Sequence, residues 1–190
     1  MAVQERKSEN TFDRYIAEVR ATWGDGKAPD LPFKIKSLME KLFASTSPED
    51  PWMDELIREG KPSRELYRDP DHGFIQMGHV HKQGHGNTPH DHGPCWVVYG
   101  NYKNPTRMRR WRRMDDGSTP GYAEVELQKE FMNEPGMASA FSVGDIHSIE
   151  FGDDTFFIRV TGGDVEKKQT LKFDPDKKTV EVANRALGQR

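Results

Sequence analysis

The spacing of apolar residues changes its period near Leu66, and no other feature constrains the fold as strongly. Before that point the apolar residues recur three and four apart. Phe12, Ile16, Val19 and Trp23 make one such series, closed by Gly24-Asp25-Gly26, and the stretch Phe33 to Phe43 repeats it through Ile35, Leu38, Met39 and Leu42. Ser47-Pro48-Glu49-Asp50 reads as the start of a third helix, with Ser47 as cap and Pro48 in the first position, ahead of Trp52, Leu56 and Ile57. Beyond Leu66 short β-prone runs alternate with turns bearing Gly and Pro. The runs are FIQMGHV, CWVVYGNY, AEVEL, FSVGDI, TFFIRV, TLKF and TVEV, and Asp174-Pro175-Asp176 supplies a turn between the last two. Several short strands at near-regular spacing predict a sandwich or barrel. The chain is therefore expected to be mainly β, with a helical segment over 1–65 packed on an all-β domain over 66–190.

A length of 190 residues suits a single domain with an added segment, long enough to bury a core without disulfides. With 34% hydrophobic residues, four Trp and ten Phe, wholesale disorder is excluded. A net charge of −3 gives no global reason to expect nucleic acid or an anionic membrane. The run RMRRWRR, Arg107 to Arg113, is followed directly by Asp115-Asp116-Gly117 and reads as a strand entering a turn, with its arginines mostly solvated and some facing the barrel mouth. No apolar run approaches a membrane span, and the opening MAVQERKSENTFDRY lacks the apolar core of a signal peptide. One cysteine, Cys95, forms no internal disulfide, so a reducing cytoplasm is the expected location.

Histidine is distributed unevenly. Of seven, six lie between His72 and His92. Within PHDHGPCWVVYG, a strand would project His90 and His92 to one face and Asp91 to the other. Two imidazoles on one face can take adjacent positions on a metal, but a third ligand must come from elsewhere. His147, in FSVGDIHSIEF, is the histidine outside the cluster, and it follows a Gly-Asp turn into a β-prone run. His79 and His81 also share a strand face and could line a pocket, form a second site or face solvent. His72 and His85 sit beside glycines in turns. Cys95 reads as a small buried hydrophobe, and Trp96 and Tyr99 as core or cavity lining.

The two histidine segments resemble the two motifs of the cupin superfamily. The first motif has the form HxH, a Glu and then a Gly, and here reads H-D-H-G-P-C-W-V-V-Y-G. The second reads PxGxxH with a following Asn, and here reads S-V-G-D-I-H with Phe151 in the Asn position. The resemblance implies a cupin-type jelly-roll barrel with His90, His92 and His147 as the ligands of one divalent metal. The motif's carboxylate has no counterpart, since no Glu or Asp lies between His92 and Gly100. Three neutral imidazoles leave the 2+ charge uncompensated and favour an anionic substrate ligand beside dioxygen.

Among cupins, a three-histidine site is typical of cysteine dioxygenase and related thiol dioxygenases, and of some carbon–carbon-cleaving dioxygenases. The stretch LYRDPDHGFIQMGHVHKQGHGNTPHDHG is similar to cysteine dioxygenase in the order Tyr67-Arg68, a strand from Phe74, Gly84-His85-Gly86 and His90-Asp91-His92. The resemblance covers about residues 66–160. It implies Fe²⁺, one per chain, with Zn²⁺, Ni²⁺ or Mn²⁺ as substitutes, and Arg68 as the anchor of a substrate carboxylate. Cys95 stands only three residues beyond His92 and no Tyr follows Tyr122, so that family's Cys–Tyr cross-link has no counterpart, and neither has its Ser-His-Tyr relay. The expected function is oxidation of a small anionic substrate by O₂, thiol to sulfinate. Carbon–carbon cleavage and a redox-neutral isomerase or lyase stand as alternatives, and a homodimer is expected by analogy of fold.

Overall fold

The computed structural model describes residues 10–184; the opening segment 1–9, read above for a signal peptide, lies outside them. Three helices come first: α1 (Thr11–Thr22), α2 (Leu31–Ser45) and α3 (Pro51–Glu59). The side chain of Asn10 caps α1 by accepting from the Phe12 N–H, and Gly24 and Gly26 take positive φ where the helix gives way to a turn. The third helix begins at Pro51, not at Pro48. Asp50 occupies the N-cap position and its carboxylate accepts from the Ser47 N–H and the Thr11 hydroxyl. Either proline could open a helix. The bond that turns Ser47 back onto Asp50 selects the second.

The rest of the described chain is antiparallel β structure, interrupted by a short 3₁₀ turn at Val165–Lys167. A five-stranded sheet has the order β1-β2-β9-β4-β7, built from β1 (Arg64–Arg68), β2 (Ile75–His81), β9 (Thr155–Thr161), β4 (Val97–Lys103) and β7 (Ala138–Phe141). A four-stranded sheet has the order β3-β8-β5-β6, built from β3 (His85–Gly86), β8 (Ile146–Phe151), β5 (Thr106–Arg113) and β6 (Val125–Asn133). The hairpin β10–β11 (Gln169–Asp174, Thr179–Asn184) completes the described chain. The fold is mainly β, with two facing sheets of jelly-roll type and N-terminal helices, as the sequence leads one to expect.

Alternation along the strands separates two apolar layers. Val80, Val98, Ala138, Ala140, Phe156, Ile158 and Val160 face outward and join the buried residues of the helices. Gly100 lets α2 lie close on β4: a Cβ there would stand 2.3 Å from Met39 Sδ. Between the sheets lie Val97, Tyr99, Met108, Phe141, Ile149, Phe151 and Phe157. The run FSVGDI is not one strand: Phe141 ends β7 and Ile146 opens β8. Residues 142–145 form a turn in which Ser142 N–H donates to the Asp145 carboxylate, Asp145 N–H donates to the Ser142 carbonyl, and Gly144 has φ of 81°. That turn joins β7 to β8 and so delivers His147 into the second sheet.

Candidate metal centre

His147 is the second residue of β8, fully buried, on the face that also carries Ile149 and Phe151 toward the first sheet. His90 and His92 are not on a regular strand, contrary to the sequence expectation. They occupy an extended segment before β4, held by distant partners. His90 and His147 exchange both main-chain bonds, at 2.9 and 3.0 Å, so two of the three imidazoles are tied together through their own backbones. On its other side the segment meets β10: Asp91 N–H donates to the Leu171 carbonyl and Phe173 N–H to the Pro89 carbonyl. Asp91 does turn away from the histidines. Its carboxylate accepts from the N–H groups of Gly93 and Leu171. Gly93 then turns the chain with φ of 57°, packed so closely that a Cβ would lie 2.2 Å from the Gln169 carbonyl oxygen.

These constraints bring the ligand atoms of His90, His92 and His147 within 4.8 Å of one another, all three residues being buried. Two nitrogens bound to one metal at about 2.1 Å span at most about 4.2 Å, so the rings need close only slightly to hold an ion. The Nδ1 of His90 is 2.9 Å from the Thr88 carbonyl, which can only accept; Nδ1 therefore carries the proton and Nε2 keeps the lone pair a metal needs. Burial pushes His147 well below the ordinary histidine range, with the charges of His90, Arg110 and Arg159 adding to it and the Asp145 backbone opposing. An imidazole held neutral is in the form that ligates.

Tyr99 was legible only as core or cavity lining. Its hydroxyl stands 3.2 Å from His92 Nε2 and 3.3 Å from His147 Nε2, able to donate to one ring and accept from the other. The available signal was alternation, since Val97 and Tyr99 share the inward face of β4. Arg159 lies inside the apolar run TFFIRV, which the sequence presents as a plain strand. It lies directly across from Tyr99 and Met77 in the sheet register, on the same inward face as Phe157. A single charged residue at an inward position of an otherwise apolar strand is the mark that reveals it.

The other candidates fall outside the triad. Arg68 stands on the edge strand β1, its side chain 45% exposed and its guanidinium shared by Glu65 at 2.6 Å and Asp164 at 2.8 Å. His79 and His81 share the inward face of β2 and stack on Phe157, with ring centroids 4.6 and 5.6 Å away. The Nδ1 of His79 bonds the Pro62 carbonyl, and burial, with Arg159 and His81 nearby, lowers its pKa to about 3. His72 stacks on Trp23, and His85 is exposed on β3. Cys95 is buried, and Trp96 packs against Trp23 in the helix-side layer. The arginines of β5 meet carboxylates: Arg107 and Arg109 pair with Glu130 and Glu150, Arg112 with Glu126 and Arg113 with Asp115. Arg110 alone among them turns inward, stacked over Phe141 and paired with Asp145. Among the described residues no helix is long and apolar enough to cross a membrane.

No family model matches the chain, and no curated protein matches it. Solved structures do. KdgF from Halomonas sp. aligns with a TM-score of 0.40 and 13% identity over 52% of this chain and 74% of that one. A cupin superfamily protein from Desulfitobacterium hafniense DCB-2 gives 0.38 and 11% over 54% and 76%. The cupin domain of Schizosaccharomyces pombe Cnp3 gives 0.38 and 10% over 52% and 61%. Likeness this distant settles neither family nor chemistry; what the chain itself displays is a buried three-histidine cluster between two antiparallel sheets, able to hold a metal ion.

Proposed function

We propose that the chain is a cupin-type dioxygenase that binds one Fe²⁺ through His90, His92 and His147 and converts a small anionic thiol to its sulfinate. The observation that carries this reading is the composition of the cluster: three buried imidazoles and, among the described residues, no carboxylate within it. A site with three neutral donors keeps the whole charge of a divalent ion and draws an anion to it. The overall change balances as thiolate plus O₂ giving sulfinate, with sulfur giving up four electrons and O₂ accepting them.

The metal, when bound, supplies Lewis acidity toward the thiolate and a redox centre for dioxygen. The chain's own residues do the rest. Thr88 and the His90–His147 backbone pair fix two ligand rings. The apolar side chains between the sheets, Phe141, Phe157 and Met108, exclude water. The Tyr99 hydroxyl faces the ligand nitrogens, where it can hold a proton or donate a hydrogen bond. Resemblance assigns the substrate's anchor to Arg68, which would have to release Glu65 or Asp164 to serve. A reducing compartment suits both an Fe²⁺ site and the unpaired Cys95.

The test is anaerobic reconstitution with Fe²⁺ followed by O₂ uptake against a panel of small thiols and enolisable ketones. Iron-dependent uptake with a thiol, lost in His92→Ala, is the expected result. Uptake with ketones alone would replace thiol oxidation by carbon–carbon cleavage. Tight Zn²⁺ or Ni²⁺ with no uptake would assign redox-neutral chemistry instead.

A further inference from the structure

Arginines on the described strands share one property with a single exception. Arg64, Arg68, Arg107, Arg109, Arg110, Arg112 and Arg113 each pair with a carboxylate. Arg159 pairs with none, although it stands half-buried on the face of β9 that looks between the sheets. Its Nε is buried and without a hydrogen-bond partner. The side chains around it on the inward face, Met77, Tyr99, His79 and Phe157, offer no acid, and the carboxylate farther along that row, Glu65, is held by Arg68. A half-buried guanidinium with no acid against it and a buried Nε left unbonded is completed by an anion entering between the sheets.

Tyr99 links Arg159 to the metal centre. Arg159 lies directly across from Tyr99, whose hydroxyl contacts two of the three histidines, and its charge is felt at both His147 and His79. We infer that Arg159 is the anion-recognition residue of the site, binding the carboxylate or comparable anionic group of a substrate whose other end reaches the three histidines. This rests on the metal-site reading above and narrows it to substrates carrying two functions: a metal-binding sulfur or oxygen and, one or a few carbons away, an anion that a planar guanidinium grips by two oxygens. It also moves the anchor from the exposed edge strand to the interior.

The test uses the full chain loaded with Co²⁺, whose visible spectrum reports both metal binding and ligand entry. Two probe pairs differ only in charge: thioglycolate against 2-mercaptoethanol, and glycolate against ethylene glycol. The wild type should bind the charged member at least about tenfold more tightly. In Arg159→Gln that preference should fall several-fold while the cobalt stoichiometry and the spectrum without ligand stay unchanged; Arg68→Gln should keep the preference. Should Arg159→Gln fail to fold, Arg159→Lys decides, because it keeps the charge and loses the two-pronged grip: a preference reduced about threefold supports the assignment and an undiminished one overturns it. Equal affinity within both pairs in the wild type overturns it as well, as does collapse of the preference in Arg68→Gln but not Arg159→Gln. A charge preference seen only in the oxygen pair, and lost in Arg159→Gln, keeps Arg159 and removes the thiol reading.

Discussion

Along β9, neighbouring residues live in different molecules, in effect. Phe156, Ile158 and Val160 turn outward into a layer shared with Val19, Ile35, Met39 and Leu56, whereas Phe157 and Arg159 turn inward toward the three histidines. The outward face is closed by apolar contacts from three helices, each buried side chain adding about 1.5–3 kcal/mol. The inward face is apolar only in part. It carries the basic residues His79, His81 and Arg159, which look across at His147 and Arg110 of the second sheet, and on three of these five a ring or guanidinium nitrogen has no hydrogen-bond partner: His79 Nε2, His147 Nδ1 and Arg159 Nε. One sheet thus divides by parity: one face packs on the helices and the other borders the three-histidine cluster.

Breaking the inward face should cost metal more than fold. His147→Ala removes one of the three clustered imidazoles, whose main chain is paired to His90, and metal affinity should fall by at least about a hundredfold, or about 2.7 kcal/mol, measured by competition with a chelator. Breaking the outward face should do the reverse. Ile158→Ala opens a cavity among fully buried residues, with an expected loss of about 3 kcal/mol in denaturant unfolding and one metal per chain still bound. If Ile158→Ala instead lost its metal while folded, the two faces would not be separable.

A pH titration sharpens the contrast. Burial holds folded His79 at about 3, against 6.5 when exposed. Between those values the unfolded chain binds a proton that the folded chain refuses, so the stabilisation is complete above pH 6.5 and drains away as pH falls toward 3. The metal-free protein should lose about 1.4 kcal/mol per pH unit below 6 through this residue alone. The slope should be smaller by that amount in His79→Gln. His81 and His147 shift in the same direction and steepen the wild-type curve, so the difference between variants is the quantity to measure. Equal slopes would mean that His79 is protonated in the fold.

How much of this the sequence disclosed follows from the range of the interactions involved. The change of period at Leu66 and the helices through Ile16 and Met39 depend on local spacing, and they are present in the fold. The cluster of His90, His92 and His147 was legible because imidazoles are few and the two segments carry a recognisable motif. The geometry that assembles them was not. The placing of residues 89–92 is imposed by β8 and by a hairpin some eighty residues later, which no local pattern encodes. The Gly144-Asp145 turn ahead of His147 is legible, but the run FSVGDI also reads as β-prone because Phe141 and Ile146, at the ends of two different strands, flank the turn with apolar residues. Arg159 was hidden by its surroundings: a run of Phe, Phe, Ile and Val looks like core until parity assigns the odd residues to a different environment.

The smallest expected effect falls on Tyr99, and its sign is the informative part. In the protein without metal, the hydroxyl bonds the Nε2 atoms of His92 and His147. A metal bound through those same nitrogens would take the lone pair of the ring that accepts from the hydroxyl and displace the proton of the ring that donates to it, so the hydroxyl and the ion compete. Removing the hydroxyl in Tyr99→Phe should destabilise the metal-free protein by about 1 kcal/mol, the net value of a hydrogen bond. Because that loss falls on the metal-free state alone, metal affinity should rise about fivefold, readable in the same chelator competition. A fall in affinity would show that the hydroxyl supports the bound ion rather than opposing it. Tyr99 would then belong with the histidines as a fourth contributor from the first sheet, and the inward face of β4 would share in holding the metal as well as shaping its surroundings.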